Sequence, residues 1–316
     1  MLYDLIFSLN AVMPLFLLIA LGYTLKKREF ISGGFVNGGN KFVFYIAMPV
    51  NLFRNVYTSD IGDLLDFRFI AFIVGATLVA FFAIWGISAI FIKDKSIIGA
   101  FVQGSFRSNF VLLGIPLLTN LAGEAGLNRA ALVVTFVLPL FNIFSILVLT
   151  ANPDSGKKIG PLTIAFAVIK NPFIIGIAIG ILMSAIGLQL PIMLNRSTMY
   201  LAGMATPLAV ICMGAGISFR GFDKKFKFAL ASSIIKVVVL PILFVGAGYV
   251  FGFRGYDLAV LLVLGGAPAA IVTYNMVVQM GGDEYIASQL VVISTLMSAV
   301  TLTLFIYTMR IIGLLG

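Results

Sequence analysis

The stretch Ser96–Gly123, SIIGAFVQGSFRSNFVLLGIPLLTNLAG, decides the fold, because it reads as a membrane-spanning helix that is interrupted at its centre. Three polar residues, Arg107, Ser108 and Asn109, stand side by side between two apolar runs, and Pro116 follows two turns later. An arginine near the middle of a bilayer costs at least ~2.5 kcal/mol on insertion scales, so it is kept where it faces water, protein or a ligand. This stretch is therefore the first candidate for a functional site.

The composition of the whole chain is that of an integral membrane protein. Of 316 residues, 61% are hydrophobic and only 10% are charged, whereas soluble domains carry about 25% charged residues. A membrane-spanning helix needs about 20 apolar residues, and the chain divides into ten such segments with short polar connections. We therefore predict an all-α membrane protein with ten transmembrane helices, at residues 3–25, 34–54, 67–92, 96–119, 127–150, 169–188, 194–218, 226–251, 257–279 and 284–310.

Positive charge is distributed unevenly among the loops between these segments. Twelve Lys and Arg residues lie in the loops after the first, third, fifth and seventh segments, against six on the opposite side. The positive-inside rule places the basic loops in the cytoplasm. We therefore predict a multi-pass protein of the plasma membrane (the cell inner membrane if bacterial) with both termini outside. The same distribution argues against a nucleic-acid partner, despite a net charge of +9.

The two halves of the chain resemble each other. The triplet Phe67–Phe69 (FRF) recurs as Phe226–Phe228 (FKF), and the same shift of 159 residues places Asn109 on Pro268. Because each half has five segments, the second half enters the membrane in the opposite orientation, as in transporters built from inverted repeats. Chance spacing of similar residues is the alternative. The predicted domains are a first inverted repeat at 1–150, a cytoplasmic linker at 151–168 and a second inverted repeat at 169–316.

The ninth segment is interrupted at the position that matches the break in the fourth. Gly265–Pro268 (GGAP) permits non-helical torsions and removes a backbone donor. Non-helical backbone at membrane depth must be satisfied by protein or by a water-filled cavity. Broken helices four and nine would cross there, and their half-helix N-termini would direct partial positive charge at one spot. This pattern favours an anionic ligand, with a simple proline kink as the alternative.

Acidic and imidazole groups are missing from the predicted spans. All twelve Asp and Glu residues fall in loops or at span ends, and the chain has no histidine. Proton-coupled carriers generally use an intramembrane Asp, Glu or His, and no nucleotide-binding motif appears. We therefore expect an anion carrier that is not proton-coupled, has no cofactor or metal and is not an enzyme. Sodium coupling through neutral oxygens stays open, as does an anion channel. Lys236, within the eighth span, has either a structural or a cavity-lining role.

Four segments resemble the auxin efflux carrier family, which includes plant PIN-FORMED carriers and bacterial malonate-type permeases. Asn109–Leu118 (NFVLLGIPLL) resembles the NxxxxGIPLL segment of the family, and Asn40–Pro49 (NKFVFYIAMP) resembles its second helix. Met204–Ala209 (MATPLA) is similar to its seventh helix, and Gly266–Pro268 with Ile271 and Val272 is similar to its ninth. The resemblance covers almost the full chain.

This resemblance implies ten helices in inverted repeats, related to the bile-acid sodium symporters. It implies a scaffold of spans one, two, six and seven that forms a homodimer, and a transport domain that moves as an elevator. It also implies that Asn109 contacts the substrate carboxylate and that Pro268 is the family's ninth-span proline. The plant carriers have proline in place of Ser108 and no basic residue in place of Arg107, so auxin is not the expected substrate.

We therefore expect a secondary transporter of a small mono- or dicarboxylate that works by alternating access in the bilayer. A guanidinium binds carboxylates bidentately, so Arg107 would set the charge preference. The alternative is a sodium-coupled symporter of the same fold. The candidate substrate-binding residues are Asn109, Arg107, Ser108 and Pro268 at the breaks, the amides Asn51 and Asn142 within the spans, and Met48 in the second-helix segment.

Overall fold

A computed structural model describes residues 14, 17–58, 66–152, 162, 165–166, 169–216 and 225–315. The start of the predicted first span and most of the predicted linker lie outside these residues. Within them the regular structure is helical, and β-structure is limited to one isolated bridge. The helices are α1 (17–27), α2 (Gly33–Phe42), α3 (Met48–Tyr57), α4 (Phe67–Phe91), α5 (Lys95–Phe106), α6 (Ile115–Leu132), α7 (Leu138–Ala151), α8 (Pro172–Ala185), α9 (Ile192–Gly216), α10 (Phe226–Ile234), α11 (Leu240–Val250), α12 (Tyr256–Gly266), α13 (Val272–Met280) and α14 (Glu284–Ile311).

Several of these helices are long and apolar enough to cross a membrane. The prediction of a multi-pass, all-α membrane protein is confirmed. The count of ten spans and their grouping into inverted repeats stay predictions. In the described part of the chain, the five continuous stretches that meet the length and hydropathy of a span are Phe67–Phe91, Arg129–Ala151, Ile192–Gly216, Phe226–Val250 and Glu284–Ile311.

Short π-helical segments allow four helices to continue across a proline. Proline has no N–H, and its ring clashes with the carbonyl four residues earlier in an α-helix. At four prolines of this chain, the residue before the proline donates its N–H to the carbonyl oxygen five residues earlier, which is a π-helical bond, and the helix continues past the ring. In chain order, these segments are Val43–Ala47 before Pro49, Phe110–Gly114 before Pro116, Val133–Val137 before Pro139 and Ile235–Val239 before Pro241.

Between Leu118 and Gly126, inside the range given for α6, the backbone turns back on itself. An ideal Cβ on Gly126 would lie 2.9 Å from the carbonyl oxygen of Leu118, whereas residues eight apart in a straight helix are about 12 Å apart. The side chains of Arg107 and Asn142 also meet, at 2.8 Å. The segment after the first break and α7 therefore run antiparallel, as two separate spans would.

Close helix packing joins α3 to α8. An ideal Cβ on Gly176 would lie 2.5 Å from the carbonyl oxygen of Pro49, and one on Gly180 would lie 2.7 Å from that of Phe53. Helices in membranes approach this closely where small residues line the contact. α9 packs in the same way on α1, where Gly214 contacts the backbone of Ile19. The group α1, α2, α3, α8 and α9 corresponds to the spans expected to form the scaffold.

Candidate functional site

Two helices of the structure are broken, and their breaks meet backbone to backbone. α5 ends at Phe106 and α12 ends at Gly266. The N–H of Asn109 donates to the carbonyl oxygen of Pro268 at 2.8 Å, and the N–H of Ala270 donates to that of Arg107 at 3.3 Å. These bonds form the isolated antiparallel bridge, and they satisfy backbone groups that no helix covers at this depth. The breaks predicted at both positions are present, and the matched pair Asn109 and Pro268 is in direct contact.

The second half of each broken helix begins at this crossing without a side-chain cap. One half starts at Phe110 after Asn109, and α13 starts at Val272 after Ile271. The first-turn N–H groups of a helix have no intrahelical acceptor and carry about half a unit of positive charge. Among the described atoms, Nδ2 of Asn109 and Oγ of Ser108 are buried and have no hydrogen-bond partner. In α13, the N–H groups of Thr273 and Tyr274 donate to the carbonyl oxygens of Ala270 and Ile271. The side-chain donors of Asn109 and Ser108 are therefore the ones left without a partner among the described atoms at the crossing.

A cavity of about 360 Å³ lies beside the crossing. The first turns of the two half-helices form one of its walls. α3 and α9 also line the cavity and contribute the polar side chains of Asn55 and Thr206. Five of the predicted candidates line this one cavity: Met48, Asn51, Arg107, Ser108 and Asn109.

Arg107 brings a buried positive charge to this cavity, since only 5% of its surface is exposed. Its guanidinium donates to Oδ1 of Asn142 at 2.8 Å, to Oγ of Ser145 at 3.1 Å and to Sδ of Met276 at 3.0 Å. All three partners are neutral, and the ion pairs among the described residues do not include Arg107. A buried charge is costly without a counter-charge. Among the described residues, the guanidinium therefore has no counter-charge.

Two predicted candidates stand outside the cavity lining. Pro268 contributes its carbonyl oxygen to the crossing. Asn142 is fully buried, and its Nδ2 donates to the carbonyl oxygen of Leu138 at 2.9 Å, which directs its Oδ1 toward Arg107. The structure thus places Asn142 behind the arginine, as the residue that orients it.

The partners of Arg107 were only partly visible in the sequence. Ser145 follows Asn142 by three residues, and this spacing puts both on one face of α7. That signal could have identified Ser145. Met276 lies in α13, far away in sequence, and an apolar thioether within a span gives no indication of such a contact.

Comparison with known proteins identifies the family. Residues 7–306 match the model of the family described as "Membrane transport protein". Over 308 residues, covering 95% of each chain, the protein is 26% identical to the Rhizobium meliloti protein named "Putative malonate transporter". Over 300 residues, 94% of this chain and 97% of the relative, it is 25% identical to an "Uncharacterized transporter" of Methanothermobacter thermautotrophicus. It is also 22% identical over 316 residues to the "Uncharacterized transporter YfdV" of Escherichia coli, with 97% and 99% covered.

The family match agrees with the resemblance of the fourth, second, seventh and ninth segments, and it spans nearly the whole chain. The relatives match over almost their full lengths, and their names describe transporters. The prediction that the chain is not an enzyme is therefore confirmed. The chain belongs to the membrane transport protein family, which is the auxin efflux carrier family, and it is a membrane transporter.

Proposed function

We propose that this chain is a secondary transporter of small organic anions and that the cavity beside the crossing is its substrate site. The observation that carries the proposal is the buried guanidinium of Arg107, whose three hydrogen-bond partners are all neutral. A substrate carboxylate would supply the missing negative charge. The planar fork of an arginine suits a carboxylate, because two parallel N–H···O bonds can form.

The size and polarity of the cavity favour a short mono- or dicarboxylate. Its volume of about 360 Å³ is near the lower end of the ~300–1,000 Å³ typical of ligand pockets. The donors of Arg107, Asn109 and Ser108 and the two helix N-termini lie together at the crossing, while Leu112 and Phe141 give the lining apolar parts. The name of the Rhizobium relative makes malonate the first acid to test.

The position of the cavity supports elevator-type alternating access. α3 and α9 line the cavity together with the broken helices, so movement of the broken helices past α3 and α9 would carry a bound anion with it. In the predicted orientation, Asn55 and Pro116 belong to the outer half, and the cavity faces outward. On the inner side, the hydroxyl of Tyr274 donates to Glu284 at 2.8 Å and packs against Gly216.

The proposal includes the architecture that the sequence predicts. The carrier has ten spans in two inverted repeats, with both termini outside, and it resides in the plasma membrane, or in the inner membrane of a bacterial cell. A homodimer forms through the scaffold helices. Large apolar side chains on the outer faces of α8 and α9, among them Ile179, Leu182 and Met193, are exposed and support such a contact or contact with lipid. Transport is not proton-coupled, since the described residues that line the cavity include no carboxylate.

Counterflow in proteoliposomes tests this function. Vesicles that contain the purified protein and unlabelled malonate are diluted into labelled malonate, and succinate, lactate and acetate are tested in the same way. We expect saturable uptake of at least one acid that is accelerated by internal substrate and is insensitive to a proton ionophore. Flux without trans-acceleration would indicate a channel. No flux of any acid by folded protein would contradict the proposal.

A further inference from the structure

Lys236 is a buried cation that the proposed function does not use. It lies in the π-helical segment Ile235–Val239, and none of its surface is exposed. The ion pairs formed among the described residues do not include it. Its Nζ donates to the carbonyl oxygens of Leu264 at 3.1 Å and Gly265 at 2.5 Å. Its ammonium group is therefore held by backbone carbonyls instead of a carboxylate.

These two carbonyls belong to the broken end of α12, which stops at Gly266. The last carbonyls of a helix have no intrahelical donor, and together they carry about half a unit of negative charge. The N–H of Ala267 satisfies the carbonyl of Val263, which leaves those of Leu264 and Gly265 for the ammonium. Lys236 thus neutralises the negative end of a half-helix inside the protein.

The backbone around the ammonium is packed so that this contact is built in. An ideal Cβ on Gly265 would lie 2.8 Å from both N and Cα of Pro241, so only glycine allows α11 to approach α12 here. Pro241 directly follows the π-helical turn that carries Lys236. The proline, the glycine and the lysine together fix the position of Nζ against the helix end.

In secondary transporters with broken helices, half-helix C-terminal ends and unwound carbonyls coordinate a coupling Na⁺. We propose that Lys236 is a built-in cation that fills this position at the end of α12, so that the carrier works without a monovalent cation bound there. The meaning of this inference for transport rests on the proposed function. The location of the ammonium does not.

Removal of the side chain should convert the position into a cation site. Lys236→Ala leaves bare carbonyls and empty space, whereas Lys236→Met leaves the carbonyls bare but fills the space. The matched control is Lys227→Ala, an exposed lysine on the same continuous helix. The thermal midpoint of each purified protein is measured in the chlorides of Na⁺, NH₄⁺ and N-methylglucamine at equal ionic strength, with no organic acid present. The assay therefore reports on the cation position even if the proposed substrate is wrong.

We expect Lys236→Ala to gain at least about 3 °C in Na⁺ or NH₄⁺ over N-methylglucamine, because a cation that binds only the folded state raises its stability. Wild type, Lys236→Met and Lys227→Ala should not respond. A folded Lys236→Ala protein that ignores both small cations would overturn the inference. If that variant cannot be purified folded, wild type decides: a wild-type midpoint that rises in Na⁺ contradicts the inference, and one that does not rise supports it.

Discussion

The backbone N–H of Asn109 donates to the carbonyl oxygen of Pro268 across 2.8 Å, and this bond joins two interrupted helices at their breaks. The side chain of Asn109 takes no part in it. That side chain does not cap the helix that begins at Phe110, and its Nδ2 has no partner among the described atoms. The backbone of Asn109 therefore has a structural role, and its buried Nδ2 is left without a partner among the described atoms.

Asn109→Ala should separate these two roles. We expect carboxylate binding to weaken by about 10- to 100-fold, since a hydrogen bond to a charged group contributes about 1.5–3 kcal/mol. The thermal midpoint should stay at the wild-type value, because the bond to Pro268 uses only backbone atoms. Isothermal titration and thermal unfolding measure the two quantities on one sample. A lowered midpoint with unchanged affinity would assign the side chain to structure.

Arg107→Gln should change charge selectivity. The variant keeps a hydrogen-bonding side chain but removes the positive charge that lines the cavity. We expect affinity to fall most for dicarboxylates, less for monocarboxylates and least for neutral analogues, again by about 10- to 100-fold for the first class. Arg196→Gln, which alters an exposed arginine, is the matched control. Equal losses for charged and neutral compounds would mean that Arg107 only supports the fold.

Asn142→Asp should abolish anion binding at the site without unfolding the protein. The new carboxylate would stand 2.8 Å from the guanidinium of Arg107 and supply the counter-charge that we assign to the substrate. Anion binding should then be lost while the protein stays folded. Asn142→Leu, in contrast, should destabilise it by about 1.5–3 kcal/mol, since a buried charged donor loses its acceptor. Counterflow and thermal unfolding of both variants check this. If Asn142→Asp transports at the wild-type rate, the unpaired charge of Arg107 does not bind the substrate.

Gly176→Ala tests the close packing of α8 on α3. The added methyl group would lie 2.5 Å from the carbonyl oxygen of Pro49, and backbone must move to admit it. Overpacking of this kind typically costs about 1–3 kcal/mol, seen as a lower thermal midpoint. Gly203→Ala in α9 is the control, because nothing lies within 4 Å of its Cβ position. There alanine should be neutral or stabilising by up to about 1 kcal/mol. Equal midpoints would show that the helices are further apart.

The contacts of Tyr274 with Glu284 and Gly216 close the inner side of the protein, and we call them the inner closure. Tyr274→Phe should weaken this closure, because it removes the hydroxyl that donates to Glu284. Cys212 reports on this closure. It is the one cysteine of the chain, it is fully buried, and it lies one turn before Gly216, which Tyr274 contacts. We expect a small maleimide to label Cys212 about fivefold faster in the variant, the equivalent of a lost hydrogen bond of about 1 kcal/mol.

Two variants control the labelling experiment. Cys212→Ala gives the background, and Tyr200→Phe changes an exposed tyrosine on the same helix as the thiol. Labelling of Tyr200→Phe should match wild type. If Cys212 is labelled at the same rate in Tyr274→Phe as in wild type, this tyrosine has no part in the inner closure.

Features that depend on periodicity and composition were predictable from the sequence. The polar triplet at Arg107 and the glycine–proline run before Pro268 marked both breaks, because each conflicts with an apolar helix. The matched halves of the chain also predicted that these breaks would meet. Local chemistry was sufficient there, since the conflict lies within each segment.

Features that depend on packing between distant segments were not predictable. The neutral environment of Arg107 needs Met276, and the contact of Lys236 needs the end of α12, which is 28 residues further along the chain. The π-helical turns precede Pro49, Pro116, Pro139 and Pro241, but Pro207 lies inside the continuous helix α9 without one, so a proline alone does not predict them. From the sequence alone, Pro49 and Pro241 would be predicted to kink a helix or to begin one.

Cryo-electron microscopy of the purified protein with malonate bound tests the proposed substrate site directly. We expect ligand density beside the crossing of the broken helices, with a carboxylate within hydrogen-bond distance of the Arg107 guanidinium and of Nδ2 of Asn109. A ligand bound elsewhere, with this cavity empty in a protein that binds malonate saturably, would contradict the proposed site.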